Sequence, residues 1–275
     1  MRQTHPKAIG PLSDEAYQVF REKGERNAVK VRRVMQITRN LSRDLFQNLR
    51  ILDLGCGEGV YSIEAGLRGA HVLAIDARME RMAKGMKIAC QMELANVQFR
   101  QEDVRKISRA GMGEFDVVYF LGLLYHLSIP DVFLVLENVY DMCRHFAIID
   151  THVSLDAATK ATHRGVDYFG IQYKEHEESD PPQVKAARQL SSLDNVYSFW
   201  FTKESLNRLL YNTGFTAVLE CHVPFEPYKA NERVPSLPND RITLAAIKGP
   251  KEEISSYPWI NELSEEEIAR KLEKK

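Results

Sequence analysis

The sequence predicts an α/β protein built on a mostly parallel sheet, and three observations carry that expectation. Short apolar or β-branched runs alternate with helical patterns from residue 50 to residue 151. Gly55, Gly57 and Gly59 crowd into the turn right after the first of those runs. The last two apolar runs of the chain follow each other with no helix between them, so they must pair antiparallel at the end of an otherwise parallel sheet.

Residues 1–49 read as an N-terminal helical segment. From Arg21 to Arg50 nine Lys/Arg stand against three acids, and Val29, Val31, Val34, Met35, Ile37, Leu41 and Leu45 recur as one helical face. That spacing predicts an amphipathic basic helix. Its apolar stripe packs on the domain, and its cationic face is either solvated or a guide for a phosphate-bearing substrate.

The main domain spans 50–250. ILDL (51–54), HVLAID (71–76), VQFRQ (97–101), FDVVYFL (115–121) and FAIIDT (146–151) have the near-continuous apolar character of strands buried on both faces. Residues 59–67, 78–93 and 131–142 have the apolar spacing and length of crossover helices. Thr202 then caps a helix over TKESLNRLLYNTG that Gly214 ends. FTAVLECHV and RITLAAIKG form the antiparallel pair, joined by a Pro-rich turn.

Between Thr151 and Trp200 the alternation fails. The segment 152–200 is too long for an ordinary connection and too aromatic for a disordered linker, and it follows the carboxyl end of the fifth strand, which predicts a cap over a site. Residues 251–275 read as a helical tail, with Ser264 and Glu267 spaced as a capping box.

Composition narrows the function classes. With 275 residues, 44% of them hydrophobic, and 37 basic against 38 acidic side chains, the chain has a large core and no global charge that announces nucleic acid. No apolar run approaches the length of a membrane span, and MRQTHPKAIGPL is not a secretory signal, so a cytoplasmic location without membrane attachment is expected. Cys56, Cys90, Cys143 and Cys221 lie far apart, which argues against a structural zinc or a disulfide framework. HEESD at 176–180 gathers acids beside a histidine but offers no helix-spaced ligand pair, and it reads as a solvated turn; no metal site is expected.

The glycine turn carries the functional argument. A dinucleotide fingerprint is G-x-G-x-x-G, whereas the spacing here is G-x-G-x-G and Val60 occupies the third fingerprint position. Asp53 ends the first strand, where a carboxylate can receive an ammonium or order the turn's amides but would repel a pyrophosphate. Asp76 ends the second strand and can accept both ribose hydroxyls. Asp103 follows the third and can accept from an adenine amino group. Three acids and three glycines on one edge suit a ligand with a cationic amino-acid end, a ribose and an adenine, which is S-adenosyl-L-methionine. The expected cofactor-binding set is Asp53, Gly55, Cys56, Gly57, Asp76, Ala77, Asp103, Val104 and Leu121.

Through ILDLGCGEG, AIDA, QEDV and FDVVYFLGLLYH, in that order and at these spacings, residues 50–151 resemble the class I S-adenosylmethionine-dependent methyltransferases. The resemblance implies a Rossmann-like, seven-stranded sheet closed by the antiparallel hairpin, here with N-terminal helices and a cap insertion after the fifth strand. FLGLLYH and NVYSFW are also distantly similar to the enzymes that finish carboxymethyl-type modification of the tRNA wobble uridine, although Leu127 and Ser128 replace the basic residues that follow LYH there.

Methyl transfer needs alignment of nucleophile, carbon and sulfur, with a base where the acceptor is a hydroxyl. Tyr125 and His126 follow the fourth strand and His152 the fifth, so these three are the catalytic candidates. His163, His176, Tyr168 and Tyr173 lie in the cap and are candidates to shape a substrate pocket. The expected function is methylation of an O or N, or a C, acceptor on a small molecule held under the cap. An RNA-modifying enzyme guided by the basic helix is the alternative, and a non-catalytic cofactor-binding module is the weakest of the three.

Overall fold

The computed structural model describes residues 25–42, 46–222 and 240–249, together with 264, 266 and 270. Its first element is helix α1 (Glu25–Ser42), on the basic segment. Alternating units follow: β1 (Arg50–Leu54), α2 (Val60–Leu67), β2 (His71–Asp76), α3 (Met79–Gln91), β3 (Val97–Gln101), the short α4 (Arg109–Met112), β4 (Phe115–Leu121), α5 (Asp131–Met142) and β5 (Cys143–His152). These strands match the expected runs, except that β5 begins three residues earlier than FAIIDT. Cys143 pairs with Phe115 below the register shift in β4, so a bulge extends the pairing past the apolar run.

A single sheet has the order β3-β2-β1-β4-β5-β10-β9, with β9 (Ala217–Glu220) and β10 (Arg241–Ile247) at one edge. Strands β1 to β5 are parallel, and β10 runs antiparallel to both β5 and β9. The expected terminal pair is therefore present. The Pro-rich turn between its strands, most of the tail and Glu267 of the expected capping box lie outside the described residues.

Side-chain alternation divides the core into two layers. Leu52, Leu54, Val118 and Phe120 face α5 and the cap, while Ile51, Val117, Tyr119, Phe146 and Ile148 face Val34 and Met35 of α1. A buried polar pair fixes α1 on its layer. Thr38 Oγ1 donates to the Val34 carbonyl at 2.9 Å, which commits its hydrogen, so the Tyr119 hydroxyl, 2.8 Å away, donates to Thr38. Both residues are fully buried.

The cap has its own architecture. Strands β6 (Thr159–His163), β7 (Val166–Lys174) and β8 (Tyr197–Phe201) form an antiparallel sheet, with the short helix α6 (Pro182–Ala187) between the last two. Arg164 and Gly165, with φ of 48° and 78°, make the two-residue turn joining β6 to β7. One face of this sheet carries its buried aromatic side chains. Tyr168, Phe199 and Phe201 pack with Phe133 of α5, and with Leu206 and Leu209 of α7 (Lys203–Thr213), each aromatic contributing roughly 1.5–3 kcal/mol on burial. Thr202 caps α7 through the Ser205 amide, and Gly214 ends it at φ 125°, as the sequence predicts. Tyr168, a candidate to shape a substrate pocket, and His176, expected in a solvated turn, are both 2% exposed. His176 is pinned by the Ser192 carbonyl and the Arg188 guanidinium, so it anchors HEESD, while Glu177, Glu178 and Ser179 stay exposed in the expected turn.

The Thr38–Tyr119 pair is testable by a double-mutant cycle in urea. Thr38→Val leaves the buried Tyr119 hydroxyl without its acceptor and is expected to cost about 1–3 kcal/mol. Adding Tyr119→Phe removes the stranded group, so the double variant regains part of that loss. Strictly additive costs would mean that the two hydroxyls do not depend on each other.

Candidate active site at the carboxyl edge of the sheet

Strand β1 pairs with β2 on one side and β4 on the other, so the sheet's direction of winding reverses there. A crevice opens at such a switch beyond the carboxyl ends of the strands. The glycine turn sits at its mouth. Gly55, Gly57 and Gly59 all have positive φ, of 67°, 54° and 73°. At Gly55 an added Cβ would lie 2.7 Å from Leu123 Cδ2, so any side chain there is strained in backbone and in space.

Asp76 braces this turn. Its Oδ2 accepts from the Gly57 amide at 3.0 Å and its Oδ1 from the Arg78 amide at 2.9 Å, and each oxygen keeps a further lone pair. Asp53 sits behind the turn, 1% exposed, accepting from Ser62 Oγ at 2.6 Å. Burial pushes its carboxyl up to about 7; the Ser62 bond opposes this, and the Asp76 charge adds to it. Cys56 turns back into the protein against Ala74 and Met82, and burial pushes its thiol well above the ordinary range, so no reactive thiolate is present.

Residues from both sides of the switch line one cavity. Gly55, Asp76, Ala77, Asp103, Val104 and Leu121 of the expected cofactor set line it, as does His126. Asp53, Cys56 and Gly57, and the catalytic candidates Tyr125 and His152, lie outside the lining. The roof comes from the cap, through Gln189, Ser191, Ser192, Leu193 and Asn195.

Two arginines that sequence reasoning missed hold this roof. Arg78 donates to the carbonyls of Ala186, Arg188, Ser191 and Ser192. Arg105 chelates Asp103 and reaches Asp194 of the cap at 2.8 and 2.9 Å. Burial pushes the Asp103 carboxyl up, but the Arg105 hydrogen bonds outweigh it and hold the group below the usual carboxylate range. Each arginine stands two residues after an acid at or just past a strand end, in DAR and DVR, and that repeated spacing is the signal that could have found them.

His126 ends a single turn of 3-10 helix, Leu124–His126, that is fastened to the cap. Asn195 Nδ2 donates to the His126 carbonyl, Trp200 Nε1 to that of Tyr125, and the Phe199 amide to that of Leu127. The Tyr125 ring meets His152 edge-on, His152 stacks on Trp200, and Trp200 stacks on Tyr173. Both nitrogens of His152 have partners: Nδ1 lies 3.3 Å from Asp240 Oδ2, and Nε2 lies 3.1 Å from the Arg241 guanidinium. Arg241 in turn pairs with Asp150. Burial and the Arg241 charge lower the His152 pKa. His163 stacks on Phe133 and bonds Glu137, away from the cavity lining. Among the described residues, no three His, Cys, Asp or Glu side chains are grouped to hold a metal ion, and no helix is long and apolar enough to cross a membrane.

Residues 51–145 match the family model described as a methyltransferase domain. The ubiquinone biosynthesis O-methyltransferase of Acinetobacter baumannii (strain AYE) is 33% identical over 81 residues, covering 30% of this chain and 34% of that protein. The protein of the same name in Caulobacter sp. (strain K31) is 32% identical over 92 residues, covering 34% and 36%. The match thus spans about a third of the length of these relatives. Among solved structures, the N-terminal domain of EvdMO1 with SAH bound superposes with a TM-score of 0.61 at 21% identity, covering 80% of this chain and 81% of that one. Magnesium protoporphyrin IX methyltransferase from Synechocystis PCC 6803 with bound SAM gives 0.50 at 16% identity, covering 81% of each. Strand order, glycine turn and family match agree: residues 51–145 belong to a methyltransferase domain, and the chain has the class I S-adenosylmethionine-dependent methyltransferase fold.

Proposed function

We propose that the chain transfers a methyl group from S-adenosyl-L-methionine to an oxygen of a small molecule held beneath the cap. The observation that carries this is one continuous cavity that runs from Gly55, Asp76 and Asp103 to His126 and is roofed by Ser191, Ser192, Leu193 and Asn195. The roof favours a small acceptor over an RNA strand. The names of the relatives, O-methyltransferases of ubiquinone biosynthesis, support an oxygen acceptor, with nitrogen and carbon as the other outcomes of the test.

The residues present fit this cofactor. The buried Asp53, whose carboxyl titrates near neutrality beside a second acid, gains from a nearby ammonium. Asp76 holds unused lone pairs for two ribose hydroxyls, and Ala77 and Val104 offer apolar contact to a purine. When bound, the cofactor supplies a methyl carbon already activated on a sulfonium. The protein's remaining tasks are to align the acceptor, exclude water and take up a proton. His126 is the residue proposed to take it, since it is the one catalytic candidate lining the cavity. His152 is a weaker base because its Nε2 lone pair faces the Arg241 guanidinium. Tyr125 stands behind the wall, its ring packed against both His126 and His152.

Asp76→Ala is expected to weaken binding of S-adenosylhomocysteine by about 1.5–3 kcal/mol, more than tenfold, in calorimetry. An unchanged affinity would move the ribose elsewhere. Incubation with methyl-labelled cofactor and a panel of hydroxylated, aminated and carbon acids, with bulk RNA as a separate arm, identifies the acceptor class. Label found only in RNA would overturn the small-molecule assignment.

His152 also fixes a pH dependence. Its pKa lies below the ordinary imidazole value, so the folded state binds fewer protons than the unfolded chain as pH falls below about 6.5. The stability it contributes is present above that pH and lost below it. Wild type should therefore lose stability relative to His152→Gln between pH 7 and pH 5; a constant difference would mean His152 is not destabilised as a cation.

A further inference from the structure

We propose that Glu175, contributed by the cap just after β7, is the positioning residue that makes His126 a proton acceptor, so that the base is assembled from the sheet edge and the cap together. This rests on the proposed role of His126. The imidazole Nδ1 of His126 lies 2.8 Å from Glu175 Oε1. The Glu175 side chain is 2% exposed, where an unpaired carboxylate would cost several kcal/mol, and three donors satisfy it. Oε1 also accepts from Ser198 Oγ at 2.9 Å, and Oε2 accepts from the Ser192 amide at 3.1 Å. Burial pushes the Glu175 carboxyl up, but the His126 contact and the two serine bonds prevail and hold it below the ordinary range, so it is ionised at neutral pH.

An ionised carboxylate accepts and cannot donate. The neutral imidazole of His126 must then carry its proton on Nδ1, which leaves Nε2 with the free lone pair. His126 lines the cavity, so this is the nitrogen available to an acceptor hydroxyl. The proton balance is simple: the O–H bond of the acceptor breaks, its proton passes to His126 Nε2, the oxygen bonds the methyl carbon, and the carbon–sulfur bond electrons return to sulfur. Glu175 takes no proton. It fixes ring and tautomer, and its charge stabilises the imidazolium that forms.

The same few residues couple this pair to the cofactor side. Ser192, whose amide bonds Glu175, gives its carbonyl to both Arg78 and His176. Arg78 directly follows Ala77 beside the ribose acceptor Asp76. A cap displaced from this position would take Glu175 away from His126 and would leave the base without a defined tautomer.

Glu175→Gln keeps the shape of the side chain and can donate as well as accept. The decisive reading is the 15N spectrum of His126 at alkaline pH, assigned by the signal lost in His126→Asn. Wild type is expected to show the Nδ1–H tautomer, and Glu175→Gln a population of Nε2–H. In both, S-adenosylhomocysteine affinity should agree within about twofold, and with the acceptor found by the labelled-methyl screen kcat should fall about a hundredfold in the variant. Glu175→Asp, which shortens the arm but keeps the charge, should retain the Nδ1–H form. An Nε2–H tautomer in wild type, or a tautomer and kcat unmoved by Glu175→Gln, would overturn the proposal. If wild type fails to bind S-adenosylhomocysteine, the cofactor assignment falls, and the tautomer still decides the pairing of Glu175 with His126.

Discussion

The reversal of winding at β1 is the constraint on which the rest of the molecule depends. Because β2 and β4 flank β1, the chain leaving β1 and the chain leaving β4 part on opposite sides of one crevice. The turn after β1 must therefore be tight enough to leave room, which explains three alternate glycines with positive φ. Asp76 at the end of β2 ties that turn to the next loop through two backbone amides. Leu121, Gly122, Leu123 and His126 after β4 form the opposite wall. What the crevice binds and what it does to its ligand both follow from which side chains these few backbone positions expose.

The cap is a second small structure resting on the first. Its sheet shares Tyr168, Phe199 and Phe201 with the core beneath, so its attachment is hydrophobic at one end. Over the crevice the attachment is polar: Arg78 holds four cap carbonyls, Arg105 spans Asp103 and Asp194, and Glu175 meets His126. Exposed ion pairs contribute little, yet Glu175 is withdrawn from water, where loss of a partner costs more than the bond itself gains, and the half-buried Arg78 spreads its hydrogen bonds over four carbonyls. The roof and the His126–Glu175 pair are thus fastened by the same short segment, 186–195.

Much of this was legible in the sequence, for a definite reason. Strands of a parallel sheet are buried on both faces, so VVYFL in β4 and VLAI in β2 announce themselves as apolar runs, with Asp76 closing the second. The cap strands mix polar with apolar side chains, and TKATH holds a single buried apolar side chain, Ala161, so no apolar run marks them as strands; the Arg164–Gly165 turn marks the hairpin. The site was legible in the same uneven way. Local spacing pointed to Gly55, Asp76 and His126, all of which line the cavity. The pairing of His126 with Glu175 crosses 49 residues, and that of Arg105 with Asp194 crosses 89, distances over which no periodicity carries information.

The most direct test of the central claim, that one cavity joins a cofactor edge to a cap-completed base, is a crystal structure of the chain with S-adenosylhomocysteine. The ribose hydroxyls are expected within about 3 Å of the Asp76 carboxylate, with the sulfur facing the space in front of His126 Nε2 while Nδ1 stays on Glu175. A nucleoside bound away from Asp76, or a sulfur screened from His126 by Leu123, would contradict it.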